Sequence, residues 1–118
     1  MYTFKSGKRN NVQDCSCYIE KRTNLLVVEQ KNESEEWSRY IRLTGQQVKR
    51  IKEMFFKGSF YSSTKPSNYF TLEGDVITMC CRAENQVIRL TIEEMGHVFQ
   101  YYDRHKERIA RFDVQFKK

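Results

Sequence analysis

Residues 41–57 read IRLTGQQVKRIKEMFFK, and residues 88–103 read IRLTIEEMGHVFQYYD. The shared tetrapeptide recurs after 47 positions, and apolar residues at helical spacing follow both copies. In both copies the Thr precedes a Gln or Glu by three positions, which is the pattern of a helix capping box. The repeat therefore predicts two strands that each run directly into a helix, near 44–57 and 91–105.

The similarity extends to the residues before each copy. Residues 17–30 (CYIEKRTNLLVVEQ) and 69–82 (YFTLEGDVITMCCR) each place β-favouring residues around a polar turn, which predicts a hairpin. A short aromatic segment precedes each hairpin, at 2–5 (YTFK) and 59–62 (SFYS), and predicts one more strand in each unit. Residues 109–116 (IARFDVQF) have strand character and lie near the end of the chain.

These patterns predict an α+β fold of two tandem ββββα units, each an antiparallel meander followed by one helix, plus a C-terminal strand. The units cover residues 1–58 and 59–105, the last strand covers 108–116, and residues 1–118 form a single domain. A unit of roughly 50–60 residues buries too little surface to be stable alone. We therefore expect the units to be related by a pseudo-twofold axis, with the helices packed together through Ile51, Phe55, Val98 and Tyr102.

Charge is distributed unevenly along the chain. The 21 Lys and Arg outnumber the 15 Asp and Glu, which gives a net charge of +6. Residues 1–60 hold 12 basic and 7 acidic residues, whereas residues 61–118 hold 9 and 8. Clustered Lys and Arg gain free energy by releasing counterions from phosphates, so the first half of the chain favours a polyanionic partner.

No stretch of the sequence suggests a membrane segment or an export signal. The longest apolar runs, such as residues 25–28, are far shorter than the roughly 20 residues that a transmembrane helix needs. The first residues, MYTFKSGKRNN, do not contain the apolar core of a signal peptide. We therefore expect a cytoplasmic protein with no membrane partner.

The cysteines and histidines do not form the pattern of a catalytic or metal site. Cys15 and Cys17, and the adjacent Cys80 and Cys81, are spaced too closely for the usual zinc knuckle. Both pairs fall in predicted strands, where a reduced cysteine behaves as a small hydrophobe. The chain also lacks a nucleophile motif and a glycine-rich phosphate loop. We expect no enzyme activity, no cofactor and no metal.

A four-stranded meander that runs through an Ile-x-Leu-Thr turn into one amphipathic helix resembles the single-stranded-DNA-binding fold of the transcriptional positive-coactivator and Whirly proteins. The segments that carry the resemblance are 41–55 and 88–102, together with the hairpins before them. Whirly-type members carry two such units in one chain. The resemblance implies that single strands bind on the outer face of the sheets, through basic and aromatic side chains, while the helices pack together on the opposite side.

The first unit carries the residue types that such an interface needs. Basic side chains would follow the phosphates and aromatic rings would stack on bases, which makes binding largely independent of sequence. The second unit is poorer, because Glu73 and Asp75 occupy the turn where the first has Arg22 and Asn24. We predict binding of single-stranded DNA or RNA by Lys5, Lys8, Arg9, Tyr18, Lys21, Arg22, Lys31, Trp37, Arg39 and Arg42.

Other interpretations of these residues and of the whole chain stay open at the level of sequence. Tyr18 and Trp37 could instead cover the core, and Arg39 and Arg42 could be ordinary solvated strand residues. Small duplicated α+β proteins are also common among phage and mobile-element products, some of which bind and inhibit a host protein such as a defence nuclease. Such a protein could occupy a nucleic-acid channel with its Lys and Arg surface, or imitate phosphate with its acidic loop 32–36 (NESEE). In a third hypothesis the chain has no ligand and scaffolds an assembly through a sheet edge. The alternative partner is thus a protein. The chain itself is expected to be a monomer or a homodimer.

Overall fold

A computed structural model describes residues 1–7, 12–32, 37–57, 68–81 and 85–111 of the chain. These residues form seven strands and two helices. In chain order they are β1 (Tyr2–Ser6), β2 (Gln13–Ile19), β3 (Leu26–Asn32), β4 (Ser38–Leu43), α1 (Gly45–Lys57), β5 (Asn68–Glu73), β6 (Val76–Cys81), β7 (Gln86–Thr91) and α2 (Ile92–His105).

The strands form two antiparallel sheets, which confirms the predicted α+β class. Strands β1 to β4 make a four-stranded meander in chain order, and β5 to β7 make a three-stranded one. Both helices begin within one residue of their predicted starts and end where the sequence predicts. The strand predicted at residues 59–62 lies outside the described residues.

The predicted capping boxes are confirmed at both helices. At α1, Thr44 Oγ1 accepts a hydrogen bond from Gln47 N at 3.1 Å, and Gln47 Oε1 accepts one from Thr44 N at 2.9 Å. At α2, Thr91 and Glu94 make the same reciprocal pair at 3.2 and 2.9 Å. Each pair satisfies amides that the first helical turn leaves without partners, so each helix begins sharply at the end of a strand.

The two hairpin turns lie where the sequence predicts them. Asn24 closes the turn between β2 and β3 with a φ of 58°, and Gly74 closes the turn between β5 and β6 with a φ of 62°. Asn and Gly tolerate this left-handed conformation better than other residues, because one has a short polar side chain and the other has no Cβ.

One continuous core joins both sheets and both helices. Its fully buried members come from each sheet and from each helix, for example Leu26, Phe70, Ile51 and Val98. The helices contact each other, and the Phe55 ring meets the Phe99 ring edge-on at 6.3 Å. The apolar face of each sheet is thus covered largely by helices that both units supply.

Each helix also contacts the sheet of the other unit. Helix α1 contacts β5, and α2 contacts β1. On α2, the His97 ring stacks on Phe4 at 4.7 Å, and its Nδ1 lies 2.6 Å from Tyr2 Oη. Strands β4 and β7, which carry the two IRLT copies, lie side by side, and Gln86 Oε1 accepts a hydrogen bond from Tyr40 N.

Residues 108–111 do not begin a strand, so this part of the predicted C-terminal strand is wrong. Their backbone groups bind elsewhere: Ala110 N donates to Asn24 O at 2.7 Å, and Ala110 O accepts from Gly45 N at 2.8 Å. Arg111 O accepts from Gln46 N at 3.1 Å. We call residues 106–111 the C-terminal segment. The rest of the predicted strand, residues 112–116, lies outside the described residues.

The C-terminal segment separates the β2–β3 turn from the start of α1. In the second unit no segment intervenes, because Asp75 O in the β5–β6 turn accepts directly from Ile92 N at 2.8 Å. In the first unit, the start of α1 lies close to the C-terminal segment: a Cβ on Gly45 would lie 3.2 Å from Tyr102 Oη and 3.5 Å from the Arg111 Cα. The two units therefore differ in how their hairpin turn is joined to their helix.

Cys15 and Cys17 are fully buried on the inner face of β2. On β6, Cys80 is buried although it points to the face opposite that of Met79, and Cys81, which shares the face of Met79, is partly exposed. Burial raises the pKa of the Cys17 thiol from 9.0 to about 12, and burial also raises the pKa of Cys15. The protonated thiol is the form that the core favours, which matches the predicted role as small hydrophobes.

This burial predicts a loss of stability in alkali. The folded protein keeps the Cys17 proton between about pH 9 and 12, where the unfolded chain has released it, so stability present below pH 9 is lost as the pH approaches 12. The unfolding free energy of the wild type should fall relative to Cys17→Ala by up to about 1.4 kcal/mol per pH unit. Urea unfolding of both proteins across this range measures the difference, and parallel pH curves would contradict it.

Candidate nucleic-acid interface

The outer face of the first sheet is defined by strand register. Across β2, β3 and β4, Cys17, Val28 and Ile41 are opposite one another and point to the buried inner face. Side chains alternate along a strand, so their neighbours point outward. The outer face carries Thr3, Lys5, Asp14, Ser16, Tyr18, Val27, Glu29, Lys31, Ser38, Tyr40 and Arg42.

Charges on this outer face nearly cancel. Lys5 forms an ion pair with Asp14, the residue directly opposite it on β2. Arg42 Nε lies 2.9 Å from Oε2 of Glu20, just beyond the end of β2. Among the described residues of the face and its rim, three basic side chains meet three acidic ones: Lys5, Lys31 and Arg42 against Asp14, Glu20 and Glu29. The positive charge predicted for the sheet is therefore not spread over its outer face.

Two tyrosines on the outer face lie close to its basic side chains. Tyr18 and Tyr40 are both half-buried, and the Arg42 guanidinium lies 4.8 Å from the centre of the Tyr40 ring. Burial, followed by the charges of Glu29 and Glu20, raises the pKa of Tyr18. Tyr18, Val27 and Arg42 form one row across three strands. This row is the one nearest the β2–β3 turn.

Lys21 and Arg22 lie in the β2–β3 turn, and both are exposed. The turn is ordered by its own hydrogen bonds: Asn24 N donates to Glu20 O at 2.8 Å, and Thr23 Oγ1 donates to Glu20 Oε1 at 2.7 Å. That bond from Thr23, together with Arg42, lowers the pKa of the Glu20 carboxyl. The turn thus holds two exposed cations beside the row that contains Tyr18.

Trp37 and Arg39 do not join this group. Arg39 is opposite Gln30 and shares its strand face with Ile41, so it lies on the helix side of the sheet. Its guanidinium lies 4.5 Å from the centre of the Trp37 ring. The predicted set of residues therefore includes both faces of the sheet, because the sequence does not fix the register of β4. Lys8 and Arg9 lie outside the described residues.

Two arginines that the sequence analysis left out lie near the β2–β3 turn. Arg108 and Arg111 are exposed residues of the C-terminal segment, which is hydrogen-bonded to the turn through Asn24. Residues 104–108 (RHKER) hold three Lys and Arg, which is a local sequence signal for Arg108 but not for Arg111. We call Lys21, Arg22, Arg108 and Arg111 the basic end.

Candidate metal ligands are not clustered in the described ranges, and both histidines lie against aromatic rings. No group of three or more His, Cys, Asp or Glu side chains there is arranged to hold a metal ion. His97 is engaged by Tyr2 and Phe4, and the His105 ring lies 4.5 Å from Tyr101. Among the residues that the structure describes, no helix is long and apolar enough to cross a membrane.

Comparisons with protein-family models, with curated proteins and with solved structures find no match to this chain.

Proposed function

We propose that this chain binds single-stranded nucleic acid, without strong sequence preference, where the outer face of the first sheet meets the β2–β3 turn. The observation that carries the proposal is the position of exposed Lys21 and Arg22 beside the row that contains Tyr18 and Arg42. Cations with an adjacent aromatic ring are what a single strand requires, because its phosphates and its unpaired bases are both accessible.

Stacking explains why the ligand is single-stranded and why its base sequence has little effect on binding. Every base has a π-face, and stacking on an aromatic side chain contributes about 1–3 kcal/mol per base. Tyr18 and Tyr40 are half-buried, so their rings are held in place while part of each surface stays open to solvent. A base within a duplex does not offer its faces, so the duplex would gain only the phosphate contacts.

Charge balance restricts where the phosphates bind. Asp14 and Glu20 already neutralise Lys5 and Arg42, so phosphates gain less on the middle of the sheet than at the turn. The β5–β6 turn of the second unit carries exposed Glu73 and Asp75 and would repel a strand. Binding is therefore asymmetric and centred on the turn of the first unit.

The resemblance to tandem single-stranded-DNA-binding units supports the same proposal. We propose that the chain is a duplicated ββββα pair with a pseudo-twofold axis near the IRLT copies. Strand β4 contacts β7, α1 contacts α2, and each helix contacts the sheet of the other unit, as such an axis requires of equivalent elements. Both helices then lie on the inner side of the sheets, and exposed Lys21 and Arg22 make the hairpin turn of the first unit more basic than that of the second.

Reversing two charges in the turn tests the proposal. Lys21→Glu with Arg22→Glu should weaken binding of a single strand of about 20 nucleotides. It should also reduce the slope of log K against log salt by about 1.4, because each lost phosphate contact removes about 0.7. The matched control, Arg89→Glu with Arg104→Glu, changes the net charge equally at exposed positions outside the basic end and should leave the slope nearly unchanged.

Fluorescence anisotropy of a labelled strand, over a series of salt concentrations, measures the affinity and the slope of log K against log salt. If the turn variant and the control lost affinity and salt slope equally, only net charge would matter, and the proposed site would be overturned. Failure of the wild type to bind any single strand at about 50 mM salt would overturn the function, since phosphate contacts are strongest at low salt. A host protein would then be the better partner to seek.

Replacing Tyr18 separates stacking from charge. Tyr18→Ala should cost about 1–3 kcal/mol of binding free energy and leave the salt slope unchanged, because stacking releases no counterions. The control is Phe56→Ala, which removes a ring that is 77% exposed on α1, away from the sheet. A lower salt slope for Tyr18→Ala, or an equal loss in the control, would count against stacking on this ring.

A further inference from the structure

A groove of about 670 Å³ opens between the two helices and the C-terminal segment. Its rim carries more basic than acidic side chains. Lys52 Nζ lies 4.0 Å from Asp103 Oδ2, so these two largely offset each other. Three exposed cations remain, Lys49, Lys106 and Arg111, against one exposed carboxylate, Glu107. Within the described ranges, none of these three cations forms an ion pair.

This groove is continuous with the basic end. Backbone hydrogen bonds connect Asn24 of the turn to Ala110, and Ala110 to Gly45 at the start of α1. Arg108 and Arg111 belong to that connecting segment, and Lys49 follows on the first turns of α1. Exposed cations therefore line a path from the turn, over the C-terminal segment and into the groove.

Side chains, rather than the helix N-terminus, supply the positive charge along this path. The first amides of α1 are already satisfied, since Gly45 N and Gln46 N donate to the C-terminal segment and Gln47 N donates to Thr44. A ligand on this path would thus meet Lys and Arg side chains, which attract any phosphate chain whatever its sequence.

We propose that the path from the basic end into the groove is a second stretch of the nucleic-acid site, which a single strand reaches only when it extends beyond the β2–β3 turn. The inference rests on the proposed function and adds to it a dependence on strand length. Of these cations, short strands contact only Lys21 and Arg22. Long strands also contact Arg108, Arg111, Lys49 and Lys106.

The salt dependence at two strand lengths tests this. Single strands of about 8 and about 24 nucleotides are compared, because single-strand sites span about 4–16 nucleotides per binding module. A longer strand always gains affinity from the greater number of positions it offers, but its salt slope rises only if more phosphates are contacted. The wild type should show a steeper slope for the long strand, by about 0.7 for each extra contact.

Charge reversal then locates the extra contacts. Arg108→Glu with Arg111→Glu should lower the long-strand slope by about 1.4 and leave the short-strand slope unchanged. Both side chains are exposed, and the hydrogen bonds of the segment use backbone atoms, which the substitution retains. Lys49→Glu with Lys106→Glu is a second variant on the groove rim, expected to behave in the same way. Arg89→Glu with Arg104→Glu is again the control.

The outcomes separate this inference from the function on which it rests. The second stretch would be overturned if the wild type gave equal salt slopes for the short and the long strand. It would also be overturned if the two charge-reversal variants lowered the salt slope equally for both strands. Binding at the turn would persist in either case. Absence of binding at either length would overturn the function itself, and the second stretch with it. Circular dichroism of each variant confirms that any loss reflects contacts rather than unfolding.

Discussion

The structure depends on one constraint: neither sheet can bury its apolar face without helices supplied by both halves of the chain. Each sheet has a continuous inner row of fully buried residues, such as Val28 with Ile41 or Phe70 with Met79. Each helix contacts the other helix and the sheet of the other unit, so a single core results. Units of this size bury too small a fraction of their surface to be stable separately. The helices are consequently committed to the interior, and on the outer face of the first sheet Tyr18, Tyr40 and Arg42 stay partly exposed, although Ser16 and Val27 beside them are buried.

Asymmetry enters through the C-terminal segment. In the second unit the hairpin turn bonds directly to the start of the helix, whereas in the first unit Ala110 lies between the two and bonds to both. That insertion carries Arg108 and Arg111 to the turn that already holds Lys21 and Arg22. Exposed positive charge thus gathers at one end of the molecule, although the net charge of the second half of the sequence is close to zero.

Local patterns in the sequence were sufficient to predict the helices and strands, but not to predict which side chains share a face of the sheet. The capping boxes, the hairpin turns and the repeated IRLT stretch predicted both helices and the strands before them, because each signal acts over a few residues. The register of β4 depends on its pairing with β3, so the sequence could not show that Arg39 shares a strand face with Ile41 and lies over the Trp37 ring. The ion pairs of Lys5 and Arg42 also depend on register and on tertiary structure, and composition could not show them.

The position of the C-terminal segment was beyond prediction for a similar reason. Residues 108–111 belong to the stretch predicted as a C-terminal strand, but Ala110 and the Arg111 carbonyl bond to a turn and a helix distant in sequence. Tertiary contacts decide such segments, and local propensity does not. The candidate site therefore needed the structure for its basic end, whereas the Lys21–Arg22 turn and Tyr18 were evident from sequence.

Mapping of backbone amide chemical shifts during titration with a single strand of about 20 nucleotides tests the central claim most directly. Binding at the basic end predicts that the largest changes fall on residues 21–24 and on Tyr18, with smaller changes on residues 106–111. The turn at Gly74 and Asp75, which is the equivalent position in the second unit, should not respond. Changes centred on that second turn, or no changes at saturating strand, would contradict the account.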